Sequence, residues 1–472
     1  MPCLNRAALS ILLATLPAIL LATLLCAPLR AETRVPTSQA EIGLGFAPLV
    51  KAAAPAVVNI YVKRVVQTRS SPFQNDPLFA DMFRNFGELK PRVQNSLGSG
   101  VILSSDGYVV SNYHVVGEAT DIRVVLNDRR EYAARVVLAD EESDLALLQL
   151  EGARGMPHLR LRDSDTVDVG ELVLAIGNPF GVGQTVSSGI VSGLARSGGA
   201  MGSARGYFIQ TDAPINPGNS GGALIDVNGA LIGVNTRIVS RSGGSNGIGF
   251  AIPAKLVQAF MEQAEAGNTR FERPWAGING QVVDGDIAES IGLGVPSGIM
   301  ITEMHRVSPF YKAGLQAGDV ILSVNGQAVN TPSEMIFRMS VVGIGEAVEV
   351  TFFREQEIDS RAVTLMSAPD VPERAPLVTG RETPLPEVTV ININPKVLAE
   401  FGLPLSSDGV VVAETGPYGA RAGLRTGDVI TEINGARVSD TGEALRRLDA
   451  SGRWLGLLIM RGGKPLQLKF RL

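Results

Sequence analysis

The chain has 472 residues, with 45% apolar and 19% charged side chains, 53 glycines and 27 prolines. That composition excludes intrinsic disorder and leaves room for about three domains of ~100–200 residues each. The formal net charge of −5 is small and of the wrong sign for a nucleic-acid binder, so no nucleic-acid partner is expected.

Arg6, the almost wholly apolar run from Ala7 to Ala27 and the small Ala31 read as a cleaved export signal over residues 1–31. A run of about 20 apolar residues also suffices to span a bilayer, which leaves an uncleaved anchor as the alternative. Cys3 and Cys26 both lie in this segment, so a processed chain would have neither disulfides nor a Cys-ligated zinc. There is no phosphate-binding Gly-rich loop and no His-Glu-x-x-His, and the histidines are scattered, so neither a metal nor a cofactor is expected.

Residues 47–266 are rich in short β-branched runs separated by turns. Strands are predicted at 57–66, 100–103, 108–111, 124–126, 145–148, 172–176 and 185–191. A hairpin over 224–232 turns at Asn228-Gly229. Strands at this spacing imply barrels or sandwiches, not a βαβ sheet. An amphipathic helix over 253–266, stopped by Gly267, closes the region. An insertion from Gln67 to Asn95 carries Phe73, Phe79, Phe83 and Phe86, either as a satellite core or as a regulatory or assembly loop.

The C-terminal half contains a repeat. Gly314-Leu315, Gly318-Asp319-Val320-Ile321 and Asn325-Gly326 recur 109 positions later as Gly423-Leu424, Gly427-Asp428-Val429-Ile430 and Asn434-Gly435. Each copy continues into a helix (333–341 and 441–449) and then a strand (348–353 and 455–460). Two copies are too few for a solenoid, so two similar domains are expected, 274–367 and 387–472, joined by a Pro-rich linker over 368–386.

Chemistry concentrates at Gly218-Asn219-Ser220-Gly221-Gly222. A serine hydroxyl needs a base, and glycines around it let backbone N–H groups converge on a developing oxyanion. Of the histidines, only His114, read as ending a strand, precedes both an acid and the serine. His158 lies in a loop after the acid, and His305 lies in the repeat region. Asp144 stands where the polar turn Asp140-Glu141-Glu142-Ser143 meets the apolar strand Leu145-Ala146-Leu147-Leu148, so its carboxylate is expected at the edge of a core. Asp140 is the rival, read as belonging to a solvated turn. The same pentapeptide satisfies the G-x-S-x-G elbow of α/β-hydrolases, but that fold needs the acid and histidine after the serine. The order His114, Asp144, Ser220 is that of a chymotrypsin-type protease. The residue six before the serine is Pro214, next to Ile215. With no acid there to pair a cation, cleavage is expected after small or medium apolar residues.

Together these residues resemble the HtrA/Deg family of ATP-independent serine proteases. The matching stretches are Gly98-Ser99-Gly100-Val101-Ile102, Ser111-Asn112-Tyr113-His114-Val115-Val116, Asp144-Leu145-Ala146-Leu147, the run from Gln210 to Gly222, and Ile248-Gly249-Phe250-Ala251-Ile252-Pro253. The resemblance implies a mainly β chain: a chymotrypsin-like double β-barrel followed by two PDZ-like α+β domains. It implies a His114, Asp144, Ser220 triad and an oxyanion hole at Gly218, Asn219 and Ser220. A substrate-pairing strand follows at Thr236, Arg237, Ile238, Val239 and Ser240. A PDZ carboxylate loop is implied at Trp275, Ala276, Gly277 and Ile278. The second repeat opens with Val388-Thr389-Val390-Ile391-Asn392 and lacks that glycine, which puts its peptide binding in doubt. Two PDZ-like copies resemble the periplasmic members that degrade misfolded envelope proteins. The resemblance further implies a homotrimer, enlarging into cages, and unfolded polypeptides and apolar C-terminal peptides as partners. A membrane-anchored regulatory protease, or a holdase or scaffold with secondary proteolysis, are the alternatives. Trypsin-like zymogens have an Asp at the position of Asn219, and Asn219 cannot form their activating ion pair. Ordering of the glycine-bearing stretches 196–206 and 240–249 is expected to serve instead.

Overall fold

The structure, a computed structural model, describes residues 45–70, 88–117, 119–178, 183–196, 207–238, 245–452 and 454–471. The expected export segment, the insertion phenylalanines, and residues 197–206 and 240–244 of the two glycine-bearing stretches lie outside the described residues.

The first barrel is built from β1 (Val57–Ser70), β2 (Glu88–Ile102), β3 (Tyr108–Ser111), β4 (Asp121–Val125), β5 (Glu131–Asp140) and β6 (Leu145–Leu150). They close in the order β1-β2-β3-β6-β5-β4. The β1–β2 pairing runs out to Ser70 opposite Glu88, so strand structure continues past the predicted start of the insertion. The second barrel comprises β7 (Leu172–Gly177), β8 (Thr185–Arg196), β9 (Phe208–Thr211), β10 (Ala223–Asp226), β11 (Leu231–Ile238) and β12 (Gly249–Pro253). It closes in the order β10-β11-β12-β9-β8-β7.

The pleat explains the closure. Along β4, Ile122 and Val124 point inward while Arg123 is exposed, the period-2 pattern that curls a sheet around its apolar face. Each barrel has its own filling, with Ile60, Val109 and Leu148 in the first and Val173, Ile209 and Leu224 in the second. A third cluster joins them. Val101, Val110 and Leu147 of the first barrel pack with Leu174, Ile176 and Val234 of the second, under Val257 and Phe260 of a helix. That helix, Ala254–Glu265, ends near Gly267 at φ 89°.

The first repeat forms β13 (Ile278–Val282), β14 (Ile299–Met304), β15 (Val320–Val324), β16 (Gln327–Ala328), β17 (Ala347–Arg354) and β18 (Glu357–Thr364), with a helix at Pro332–Val342. Its sheet order is β13-β14-β15-β17-β18, which leaves β13 at the edge. The second repeat forms β19 (Leu377–Val378), β20 (Thr389–Asn392), β21 (Val410–Glu414), β22 (Val429–Ile433), β23 (Ala436–Arg437), β24 (Trp454–Arg461) and β25 (Lys464–Arg471), with a helix at Thr441–Asp449. Its order is β19-β20-β21-β22-β24-β25.

The repeated Gly-Asp pairs have a shared physical purpose. Asp319 is 1% exposed and accepts from Arg354 Nε and Nη2 at 2.6 Å each. Asp428, also 1% exposed, accepts from Arg461 Nε and Nη2 at 2.7 Å each. Each arginine also donates to the repeat glycine carbonyl, Gly314 O at 3.0 Å and Gly423 O at 2.6 Å. A buried carboxylate is tolerated because a bidentate guanidinium answers it.

Candidate active site at the barrel junction

His114 does not end a strand. It lies in a single helical turn, Tyr113–Val116, directly after β3. The turn is tied to the acid from two directions: Tyr113 N–H donates to Asp144 O at 3.1 Å and His114 N–H to Asp144 Oδ1 at 3.0 Å. The ring Nδ1 then lies 2.9 Å from Asp144 Oδ1 and 2.8 Å from Oδ2, leaving Nε2 on the opposite side of the ring.

Asp144 is 5% exposed and adopts φ 55°, a left-handed conformation that, glycine aside, asparagine and aspartate tolerate best. Its Oδ2 accepts the Thr236 hydroxyl at 2.6 Å, and its backbone O accepts Asn112 Nδ2 at 2.9 Å. Burial pushes the carboxyl pKa up, but the His114 ring and main-chain donors with the Thr236 hydroxyl outweigh it, and the net shift is downward. The acid therefore stays ionised.

Asp140 is not in a solvated turn. Its side chain is 15% exposed and pairs with Arg273, while it accepts Ser143 N–H at 2.7 Å and Ser143 Oγ at 2.5 Å. Burial raises its pKa, and Arg273 and Ser143 more than reverse this. It braces the turn that presents Asp144 and makes none of the described contacts to His114.

Ser220 sits on a tight turn just before β10. Asn219 N–H closes it on Asn216 O at 2.9 Å. Glycine is obligatory after the serine: a Cβ on Gly221 would stand 2.0 Å from Ser99 O, and one on Gly222 2.2 Å from Ile176 O. Among the described residues no acceptor takes the N–H of Gly218 or of Ser220. The Ser220 hydroxyl donates to Thr236 O at 2.9 Å.

Thr236 thus meets both the acid and the serine. The β11–β12 register slips between Asn235 and Arg237, leaving Thr236 as the extra residue of a β-bulge. A bulge frees its backbone from the ladder and re-aims its side chain. Arg237 and Ile238 continue β11 opposite Phe250 and Gly249. Val239 and Ser240 lie outside the described residues.

Ser99 is the site residue whose role the sequence reading missed. Fully buried on β2, it donates N–H to Ser220 O at 2.9 Å and Oγ to Gly218 O at 2.7 Å. Its Oγ accepts Asn178 N–H at 2.9 Å, and its carbonyl accepts Ser111 Oγ at 2.8 Å. One barrel thereby grips the serine turn of the other. The signal was present in Gly98-Ser99-Gly100, since flanking glycines announce a close approach: a Cβ on Gly98 would stand 2.6 Å from Val115.

The remaining expected residues lie apart from this junction. His158 contacts Met156 O within its loop. His305 donates its N–H to Gly277 O at 2.8 Å and stacks edge-on with Trp275, centroids 5.6 Å apart. Gly277 has φ 62°, and a Cβ there would stand 2.6 Å from the Trp275 ring. Ala276 O accepts Ser308 Oγ, and Ile278 opens the edge strand β13.

Comparison with known proteins agrees with this fold. Residues 98–234 match the model of a trypsin-like peptidase domain, and 274–365 and 409–453 each match a PDZ domain. A probable periplasmic serine endoprotease, DegP-like, from Marinomonas sp. (strain MWYL1) is 37% identical over 445 residues, covering 90% of this chain and 93% of that protein. The periplasmic pH-dependent serine endoprotease DegQ of Escherichia coli (strain K12) is 36% identical, covering 90% and 91%. The solved structure of the HtrA-type protease AlgW with decapeptide is 38% identical, with a TM-score of 0.52, covering 69% of this chain and 99% of that one. With a trypsin-like double barrel, two PDZ domains and relatives similar along nearly its whole length, the chain belongs to the HtrA/Deg family of periplasmic serine endopeptidases.

Proposed function

We propose that this endopeptidase degrades unfolded or damaged envelope proteins without ATP, through an acyl-enzyme on Ser220. The observation that carries the reading is the His114 Nδ1 to Asp144 Oδ2 contact of 2.8 Å, with Asp144 also receiving Thr236. That contact supports a proton on Nδ1, with Nε2 as the base for Ser220. In the reaction, His114 takes the hydroxyl proton as Oγ bonds the scissile carbonyl carbon. The Gly218 and Ser220 N–H groups hold the oxyanion, with Asn219 between them, each worth about 2.7–4 kcal/mol. His114 then protonates the leaving amine, and water repeats the sequence to release the acid.

Substrate backbone pairs with Thr236, Arg237, Ile238, Val239 and Ser240, and Pro214 and Ile215 contribute to the pocket for the residue before the cut. Ile215 is 1% exposed and apolar, which suits Val, Ala or Ile. Digestion of an unfolded protein followed by mapping of its new termini is expected to show these residues before the cut. Dominant Lys or Arg would contradict the pocket assignment.

The edge strand β13 and the Trp275, Ala276, Gly277, Ile278 loop are read as the regulatory site, taking a peptide with an apolar C-terminus as an added strand. Such peptides are expected to raise turnover. Gly277→Leu is expected to abolish the increase, because both its φ and the Trp275 ring oppose a side chain. Undiminished stimulation of that variant would place the regulatory ligand elsewhere. We further infer a homotrimer that enlarges into cages, with Phe46, 37% exposed, as a candidate contact. A single-chain mass by light scattering at micromolar concentration would refute it.

A further inference from the structure

The two PDZ repeats differ at the strand that would receive a peptide. In the first, β13 is an edge strand of its sheet and Val282 on it is 46% exposed. In the second, the equivalent strand β20 already has a partner. β19 pairs with it antiparallel, Leu377 opposite Val390 and Val378 opposite Thr389, and Val390 is 1% exposed. The added strand comes from the Pro-rich segment between the repeats.

The contacts continue past β19 at both ends. Upstream, Asn392 N–H donates to Arg374 O at 2.7 Å and Asn392 Nδ2 to Glu373 O at 3.0 Å. Thr441, the first residue of the helix Thr441–Asp449, donates its hydroxyl to Ala375 O at 3.1 Å. The segment therefore lies between a strand and a helix, the two walls of a PDZ groove. Leu377 packs against the core of the repeat.

Downstream, Thr379 is 2% exposed and meets the loop before β20. Its carbonyl accepts Glu387 N–H at 3.0 Å, and its Oγ1 accepts Val388 N–H at 2.9 Å. Glu387 has φ 60°, matching Gly277 at φ 62°, and Val388 follows it as Ile278 follows Gly277. Two consecutive loop amides, in the place where the first repeat has those of Gly277 and Ile278, are thus both occupied by one threonine. β19 also runs toward this loop, the polarity of a peptide whose C-terminus is held there.

We propose that the groove between β20 and the helix Thr441–Asp449 is a peptide site whose resident ligand is the chain's own segment 374–379. Thr379 stands in for a terminal carboxylate, and free C-termini are left to the first repeat. Only that last clause rests on the peptide role proposed for the first repeat. The loop's chemistry fits an uncharged acceptor. Glu387, exposed and 3.9 Å from Arg381 Nε, places a carboxylate where the first repeat has glycine, which disfavours a C-terminal carboxylate more than an uncharged carbonyl and hydroxyl. Tethering adds to this, because a short linker presents its segment at an effective concentration of order millimolar, which a weak free peptide cannot match.

Amide hydrogen exchange on the full wild-type chain tests the occupancy directly. Glu387, Val388 and Asn392 are expected to exchange about 100-fold or more slower than an open loop. Exchange at the open-loop rate would overturn the proposal. In the variant Leu377→Gly with Thr379→Gly, exchange at those amides should rise about tenfold or more while β21 to β25 stay protected. An acetylated and amidated peptide copying residues 372–383 should then bind that variant once per chain and leave the wild type unbound. No binding to the opened variant, or binding to the wild type, would overturn the peptide-site assignment. With Ser220 blocked by a serine-directed phosphonate, a fluorescent decapeptide ending in a free valine carboxylate should bind the wild type once per chain, and Gly277→Leu should remove that binding. Two sites per wild-type chain would overturn the cis occupancy. No site at all would sink the peptide role of the first repeat while the exchange result on the second still stood.

Discussion

Replacing Ser220 with alanine is expected to lower turnover of an unfolded protein by about 10⁶-fold, with ATP absent throughout. The loss is that large because no second hydroxyl shares its position. Ser99 Oγ is committed to Gly218 O, and Thr236 Oγ1 to Asp144. The substitution leaves the proposed oxyanion donors and substrate strand in place, so substrate should still bind and KM should change little. A serine-directed phosphonate should label the wild type at Ser220 and leave the variant unmodified. Equal degradation by the two proteins would remove Ser220 from the mechanism.

Asp144→Asn is the second large effect, about 10⁴-fold in kcat with the fold retained. Among the described contacts, the carboxylate receives His114 N–H, His114 Nδ1 and the Thr236 hydroxyl. An amide offers one acceptor oxygen and two N–H donors, so at least one of these contacts becomes donor against donor. The cheapest relief is for His114 to shed its Nδ1 proton and carry it on Nε2, where it faces the serine and cannot act as a base. The pH dependence separates this from misfolding. Asp144 is held below the usual carboxylate range, so its stabilising contacts are complete above pH ~4 and fade as pH falls through the lowered pKa. The wild type should therefore lose stability on acidification in a way the asparagine variant does not. Parallel acid unfolding curves would mean that the carboxylate contributes nothing to the fold.

Much of this architecture was legible locally. The strands alternate as a half-buried sheet must, and the helix Thr441–Asp449 begins where Asp440 accepts Glu443 N–H at 2.8 Å, a start signal carried by adjacent residues. The proposed triad could be picked out because its order along the chain admits few alternatives. What stayed hidden depends on partners far away in sequence. Asp140 reads as a turn residue because Arg273, which buries it, lies 133 positions on. The turn holding His114 is four residues long, too short for any periodicity, and is set by its bonds to Asp144. The bulge at Thr236 is a property of pairing between strands, not of either strand's composition. β19 spans two residues in a Pro-rich stretch, where composition points to a spacer.

The bond from the Ser220 hydroxyl to Thr236 O has a kinetic meaning. That carbonyl lies at the head of the strand expected to pair with substrate, so an arriving backbone N–H would meet the nucleophile at the same acceptor. Before substrate arrives, the hydroxyl proton is parked on an amide oxygen that cannot remove it. A peptide N–H that displaced the hydroxyl from this carbonyl would free it to turn toward Nε2 of His114. The enzyme would then be quiet toward small electrophiles that lack a backbone N–H and quick toward peptide-like ones of equal intrinsic reactivity. Substrate backbone would then be the trigger as well as the target, a safeguard for a protease that shares a compartment with folded proteins.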